Sequence, residues 1–210
     1  MSDSELSLPS QWLSREDESE DALFYATPRL VTHIDDETIE ALSGFYFERL
    51  EAGGGVLDLM SSWVSHLPAG TAFSRVAGLG MNEEELMANS RLDDHVVHDL
   101  NEEPELPYGD AEFDAVLIAV SVQYLIHPVE VFRGIGRVLR PGGQVIVAMS
   151  HRLFPTKAVR AFQSLEPTDR IRLVAAYCTL AGSFDPPEFF DRSPKDADPL
   201  WIVTARRSTS

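Results

Sequence analysis

Three histidines in this chain have neighbours that suit proton transfer: His33, His66 and His151. His33 closes the run Phe24–Ile34 (FYATPRLVTHI) and stands two residues ahead of the acids Asp35 and Asp36. An imidazole is the side chain best placed to take a proton near neutral pH. In the same run Arg29 would favour a carboxylate or phosphate, because its planar fork matches both. Tyr25 would face an acceptor beside it. The plainer reading has Phe24, Tyr25 and Leu30 packing on a sheet while His33 caps the following helix. His151 follows the apolar run QVIVAMS and precedes Arg152 and Lys157. It either receives an anion there or ends the strand. His66 and Trp63 share one loop and either contact a ligand or fill space. His95 and His98 form an i, i+3 pair in a strand, which points them to opposite faces, so no metal site is expected. The single cysteine, Cys178, excludes an intrachain disulfide and a cysteine-cluster metal site. In its apolar helical stretch it reads as a small buried hydrophobe.

The elements that must hold these groups follow from periodicity. Asp35 and Asp36 suit a helix N-terminus, and Ile39, Leu42, Phe45, Tyr46 and Leu50 continue it at helical spacing until Gly53-Gly54-Gly55. Short strands are expected at Val56–Met60, Arg75–Leu79 and His95–His98, with a helix over Glu83–Ala88. Phe113–Val120 and Gln144–Met149 are apolar, β-branched runs of the kind covered on both faces. Val131, Ile135, Val138 and Leu139 mark a helix over Pro128–Leu139, ended by Pro141-Gly142-Gly143. A helix over Leu173–Leu180 and a strand over Leu200–Ala205 complete the set. Such alternation predicts one α/β domain with a parallel sheet. In these sheets ligands bind beyond the carboxyl ends of the strands. The positions to inspect are therefore 60–66, 80–82, 99–101, 121–124 and 150–152.

Composition narrows the function class. The 210 residues carry 34 Asp+Glu against 17 Lys+Arg, a formal charge of −17. That balance argues against a nucleic-acid partner, whose phosphates are neutralised by Lys and Arg. Arg29, His151, Arg152 and Lys157 are the candidates for a local basic rim. Hydrophobic residues at 44% are ordinary for a globular chain, and no apolar run reaches the length of a membrane span. The first 21 residues read as a loose acidic tail without the features of a secretory signal. A cytoplasmic protein, monomeric or homodimeric, is the expectation.

Two segments carry a family resemblance: Leu106–Val116 (LPYGDAEFDAV) and Arg137–Gly143 (RVLRPGG). With Asp58 and Asp99 they make the chain resemble the class I S-adenosylmethionine-dependent methyltransferases of the type 11-like group, from about Gly55 to Met149. The resemblance implies a Rossmann-like methyltransferase fold, with a mostly parallel seven-stranded sheet, an antiparallel last strand and helices on both faces. It implies S-adenosylmethionine as cofactor. Asp58 would hold the amino group of the methionine part, Asp99 the adenine amino group, and Met81 and Leu100 the two adenine faces. Ser121 and Tyr124 would line the floor near the transferred methyl. The family's glycine-rich loop reads here Leu59-Met60-Ser61-Ser62-Trp63-Val64, with Met60, Ser62 and Val64 where glycines are usual. Gly80 stands where the family has an acid for the ribose, a loss of ~1.5–3 kcal/mol if nothing replaces it. Ser61 and Ser62 offer hydroxyls, and Asn82 is near enough to stand in for the acid.

The implied organisation is an acidic tail and helical cap over 1–50 and a methyltransferase domain over 51–210. The implied function is methyl transfer to a small-molecule acceptor, with His33, His151 and Tyr124 as catalytic candidates and Tyr25 and Arg29 facing the substrate. The alternative is a non-catalytic member of the fold acting as a binding or scaffold protein. A nicotinamide-dependent dehydrogenase is disfavoured because no GxGxxG opens a helix after the first strand.

Overall fold

The computed structural model describes residues 8–209. Its strands are β1 (Gly55–Leu59), β2 (Arg75–Gly80), β3 (Asp94–Val97), β4 (Phe113–Ala119), β5 (Leu139–Met149), β6 (Glu188–Asp191) and β7 (Trp201–Arg206). They form one sheet in the order β3-β2-β1-β4-β5-β7-β6. β1 to β5 run parallel, and β7 is antiparallel to both of its neighbours. This is a Rossmann-like methyltransferase sheet with a reversed last strand. The order reverses between β1 and β4, which is where an open α/β sheet leaves a crevice.

The helices are α1 (Ser10–Leu13), α2 (Asp21–Phe24), α3 (Asp36–Arg49), α4 (Glu83–Ala88), α5 (Pro128–Val138), α6 (Arg160–Ser164) and α7 (Pro167–Ala181). Alternate residues of the central strands feed two separate cores. Leu57, Leu59, Val116, Ile118, Val145 and Val147 pack with α5 and α7. Val56, Leu117, Ile146 and Ala148 pack with Leu42, Phe45 and Tyr46 of α3 on the other face. In α5, Val131, Phe132, Ile135 and Val138 are all fully buried, each contributing about 1.5–3 kcal/mol of apolar burial.

Helix ends agree with local chemistry. Asp35 caps α3 by accepting from the Thr38 N–H at 2.9 Å. That role does not fall to His33. The RPGG segment lies inside β5, one residue beyond the end of α5. The turn suits glycine at Gly142, where φ is +80°.

Residues 8–21 depart from the expected loose tail. The Arg15 Nη1 donates to both oxygens of Asp21 at 2.8 Å in a buried pair. Fully buried Lys157 meets the same carboxylate at 3.1 Å and that of Asp17 at 3.3 Å, and donates to the Ser19 carbonyl at 2.7 Å. Asn101 adds a further bond to Asp21 at 2.8 Å. The segment is thus tied to the loops after β3 and β5. Lys157 is correspondingly removed from any surface rim. Among the described residues no helix is long and apolar enough to cross a membrane, and no group of three or more His, Cys, Asp or Glu is arranged to hold a metal.

Candidate functional site

A cavity of about 320 Å³ opens at the carboxyl ends of β1, β2, β3 and β4. Segment 25–33 forms one wall and Arg152–Phe154 another. The cavity lining includes Asp58, Met60, Ser61, Ser62, Gly80, Met81, Asn82, Asp99, Leu100, Ser121, Tyr124, Tyr25, Arg29 and His33. His151 lies outside it. That histidine is exposed and pairs at 3.1 Å with Asp198, which Arg152 also holds at 3.0 Å. The structure thus turns His151 toward Asp198 and does not bring it together with the other candidate catalytic side chains.

Asp58, the penultimate residue of β1, has only 3% of its surface exposed. Burial pushes its pKa up to about 6, opposed by the Ser61 hydroxyl donating at 2.6 Å. The site is therefore poor in positive charge, and a cation arriving there would restore the ionised form. Asp99 accepts from the Asn101 N–H at 2.8 Å, a local turn. The turn and a ligand contact are compatible, since a carboxylate has four lone-pair sites. Ser121 Oγ is buried and without a protein partner.

The loop after β1 follows its own path. Met60 has φ +59° and His66 φ +53°, left-handed values that glycine accepts freely and other residues resist. The Ser61 N–H donates to the Leu79 carbonyl at 2.7 Å, laying the loop across the end of β2. A Cβ at Gly80 would stand 2.3 Å from the Ser61 carbonyl oxygen. The missing acid and the missing glycines are thus one change: the loop backbone fills the place from which the acid would project. The loop is also stitched to its surroundings. The Ser62 hydroxyl donates to Glu85 at 2.6 Å, Asn89 donates to the Ser62 carbonyl and Ser65, and the Trp63 indole donates to the Val31 carbonyl at 3.0 Å.

Asn82 is committed as well, which removes it as a stand-in for the ribose acid. Its oxygen caps α4 by accepting from the Glu85 N–H, and its amide donates to the Tyr25 and Ala26 carbonyls. Buried Glu85, which the sequence reading missed inside an EEE run, accepts from both Ser62 and the Arg29 backbone N–H. Phe154 was missed too. It stacks on Tyr124 at 5.8 Å and meets His33 edge-on at 5.3 Å, while its N–H donates to the Tyr124 hydroxyl at 2.9 Å.

Burial lowers the pKa of His33 and holds that of His66 near 4, so both imidazoles are neutral at pH 7. The Nδ1 of His66 is buried without a partner. Burial raises the pKa values of Tyr25 and Tyr124. Backbone strain gathers here. Of the five non-glycine residues with positive φ among the described residues, Met60, His66 and Val120 line the cavity. Strain concentrated in this way is typical of functional sites.

A family model described as a methyltransferase domain matches residues 50–147. Over that segment the chain is similar to the class I methyltransferases. Methyltransferases of this family use S-adenosylmethionine. Among curated relatives, 27-O-demethylrifamycin SV methyltransferase of Amycolatopsis mediterranei is 38% identical over 76 residues, 33% of this chain and 28% of the relative. Methyltransferase GfsG of Streptomyces halstedii is 29% identical over 124 residues, 53% of this chain and 44% of the relative. The chain thus spans less than half the length of either. Among solved structures, the [4+2]-cyclase SpnF superposes with a TM-score of 0.60 at 18% identity, covering 80% of this chain and 81% of that one. A phosphoethanolamine N-methyltransferase of Haemonchus contortus with S-adenosylhomocysteine gives 0.56 at 15% identity, covering 82% and 52%. At such identities these structures show the methyltransferase fold and nothing finer.

Proposed function

We propose that this methyltransferase binds S-adenosylmethionine in the cavity and methylates a small-molecule acceptor held against segment 25–33. The observation that carries the reading is the convergence of Asp58, Asp99 and the unpartnered Ser121 hydroxyl with that segment on one cavity. The residues present fit the two ends of the cofactor. Asp58 would hold its ammonium group, and Asp99 its adenine amino group, with Met81 and Leu100 on the ring faces. Ser61 already orients Asp58, and Ser62 acts through Glu85. Gly80 and Asn82 serve the loop and the cap without touching the ribose hydroxyls. Bound there, S-adenosylmethionine supplies an electrophilic methyl group.

The chain's own part is alignment and exclusion of water. Tyr124 and Phe154 wall the reacting region, and Tyr25 closes it from the N-terminal side. His33, neutral through burial, takes the proton of an acceptor that must lose one. The same proposal treats residues 1–50 as a cap on a catalytic unit over 51–210, acting in the cytoplasm as a monomer or homodimer without a nucleic-acid or membrane partner.

A non-catalytic binding or scaffold role is the second reading, favoured by the loop that fills the ribose-acid position. Titration with S-adenosylhomocysteine separates the two, read by the fluorescence of Trp63 with a Trp63→Phe control. Saturable quenching lost in the control supports the cofactor site, whereas no response at millimolar ligand in either fluorescence or calorimetry leaves the scaffold reading.

A further inference from the structure

Among the described residues, one cation on the cavity wall is uncommitted. The Arg29 guanidinium lies 4.5 Å from the Phe24 ring centroid, 5.4 Å from that of Phe154 and 5.8 Å from that of Tyr25. Its Nη2 donates to the Phe24 carbonyl at 2.9 Å, while its Nη1 is buried and has no partner. Among the described residues it forms no ion pair, although the chain has 34 acidic side chains. The other arginine on the cavity wall, Arg152, is already matched to Asp198. A guanidinium N–H shut away from water without an acceptor is costly unless a ligand supplies one. The aromatic cage holds the group in place, so little freedom is lost when a ligand arrives.

We propose that Arg29 is the anchor of the acceptor subsite and that the acceptor is a small carboxylate with an apolar body. This deepens the methyl-transfer reading and rests on it for the word acceptor. A monoanion is favoured over a phosphate dianion, because Asp58, Glu85 and Asp99 line the same cavity and, among the described residues, only one free positive charge opposes them. The apolar body follows from the walls: Tyr25 and Phe154 lie against Arg29, and Val31, Trp63 and Tyr124 line the same cavity. His33 and His66 line the same cavity as neutral imidazoles and carry no charge that would compete for the anion.

The test uses the full chain saturated with S-adenosylhomocysteine and matched probes: benzoate, 2-naphthoate, benzamide, benzylamine and phenyl phosphate. Affinities are read by saturation-transfer NMR with calorimetric competition. The carboxylates should bind about tenfold tighter than the amide, the amine and the phosphate, and Arg29→Gln should remove that preference. Arg29→Lys should keep only part of it, since a point charge replaces the planar fork. Equal binding of benzoate and benzamide, a phosphate preference, or an unchanged preference in both variants overturns the proposal. Should Arg29→Gln fail to fold by circular dichroism, Arg29→Lys decides alone. S-adenosylhomocysteine is titrated separately into wild type. Carboxylate binding through Arg29 without S-adenosylhomocysteine binding would sink the methyl-transfer reading and leave the anion subsite standing.

Discussion

Replacing Gly80 with alanine should unfold the link between the loop after β1 and the end of β2. A Cβ there would lie 2.3 Å from the Ser61 carbonyl oxygen and 3.1 Å from Leu86 Cδ2. An ordinary carbon–oxygen contact is about 3.3 Å, so the Ser61 backbone must retreat by about 1 Å. That movement breaks the 2.7 Å bond from the Ser61 N–H to Leu79 and disturbs the 2.6 Å bond from its hydroxyl to Asp58. One buried backbone bond contributes ~1 kcal/mol and overpacking of a rigid neighbour ~1–3 kcal/mol, giving about 2–4 kcal/mol together. Gly78 is the internal control. Its added Cβ meets Leu92 Cδ1 at 2.4 Å, the end of a side chain that can rotate away, at a cost of about 1 kcal/mol. Urea unfolding of the two variants should separate them by about 2 kcal/mol, and Tm should fall by roughly 4–16 °C for Gly80→Ala. Gly80→Asp should not improve S-adenosylhomocysteine binding, because the loop occupies the acid's place. Gly80→Ala costing no more than Gly78→Ala would refute the idea that loop and glycine are one change.

Asp58 sets a pH dependence. Its folded pKa of about 6 lies above the ordinary 3.8, so between those values the native state binds more protons than the unfolded chain. Stability of the free protein therefore falls as pH rises through that window, by about 3 kcal/mol in full. Asp58→Asn should abolish the fall and leave the free protein at least as stable at pH 7. Cofactor affinity should show the opposite trend, weakening about tenfold per pH unit below pH 6 as ligand must displace the proton. Lys157→Met removes one partner of a buried cluster; denaturation should show a loss of about 3 kcal/mol, and limited proteolysis should reach residues 14–34. Asp99→Asn retains one oxygen for the Asn101 turn, so S-adenosylhomocysteine affinity should drop by ~1 kcal/mol with Tm nearly unchanged.

Much of the fold could be read from local pattern. The stripe Val131, Phe132, Ile135 and Val138 and the apolar runs of β4 and β5 are buried as their spacing predicts. The acid at the end of β1 and the one just beyond β3, Asp58 and Asp99, reach one cavity because a parallel sheet presents all its carboxyl ends together. The strap residues Tyr25, Arg29 and His33 reach it because their aromatic neighbours pack on Phe154. What escaped the sequence depends on contacts between distant segments. Nothing near Gly80 announces the Ser61 carbonyl above it. Nothing in Glu83-Glu84-Glu85 marks the third acid as the one that receives Ser62 and Arg29. Lys157 looked like a surface cation and is buried because Asp17 and Asp21, far back in the chain, close over it. His151 sits at the right edge of the sheet, but Asp198 draws it outward.

The central claim is that the loop with Met60, Ser61 and Ser62 still leaves a working cofactor site above Asp58. Calorimetric titration of S-adenosylhomocysteine into wild type and Asp58→Asn, at pH 7.5 and at pH 5, tests it most directly. The account predicts saturable binding to wild type at pH 7.5, about tenfold weaker at pH 5, and a larger loss with little pH dependence for Asp58→Asn. No binding to wild type at pH 7.5, or equal binding to both proteins at both pH values, would contradict it.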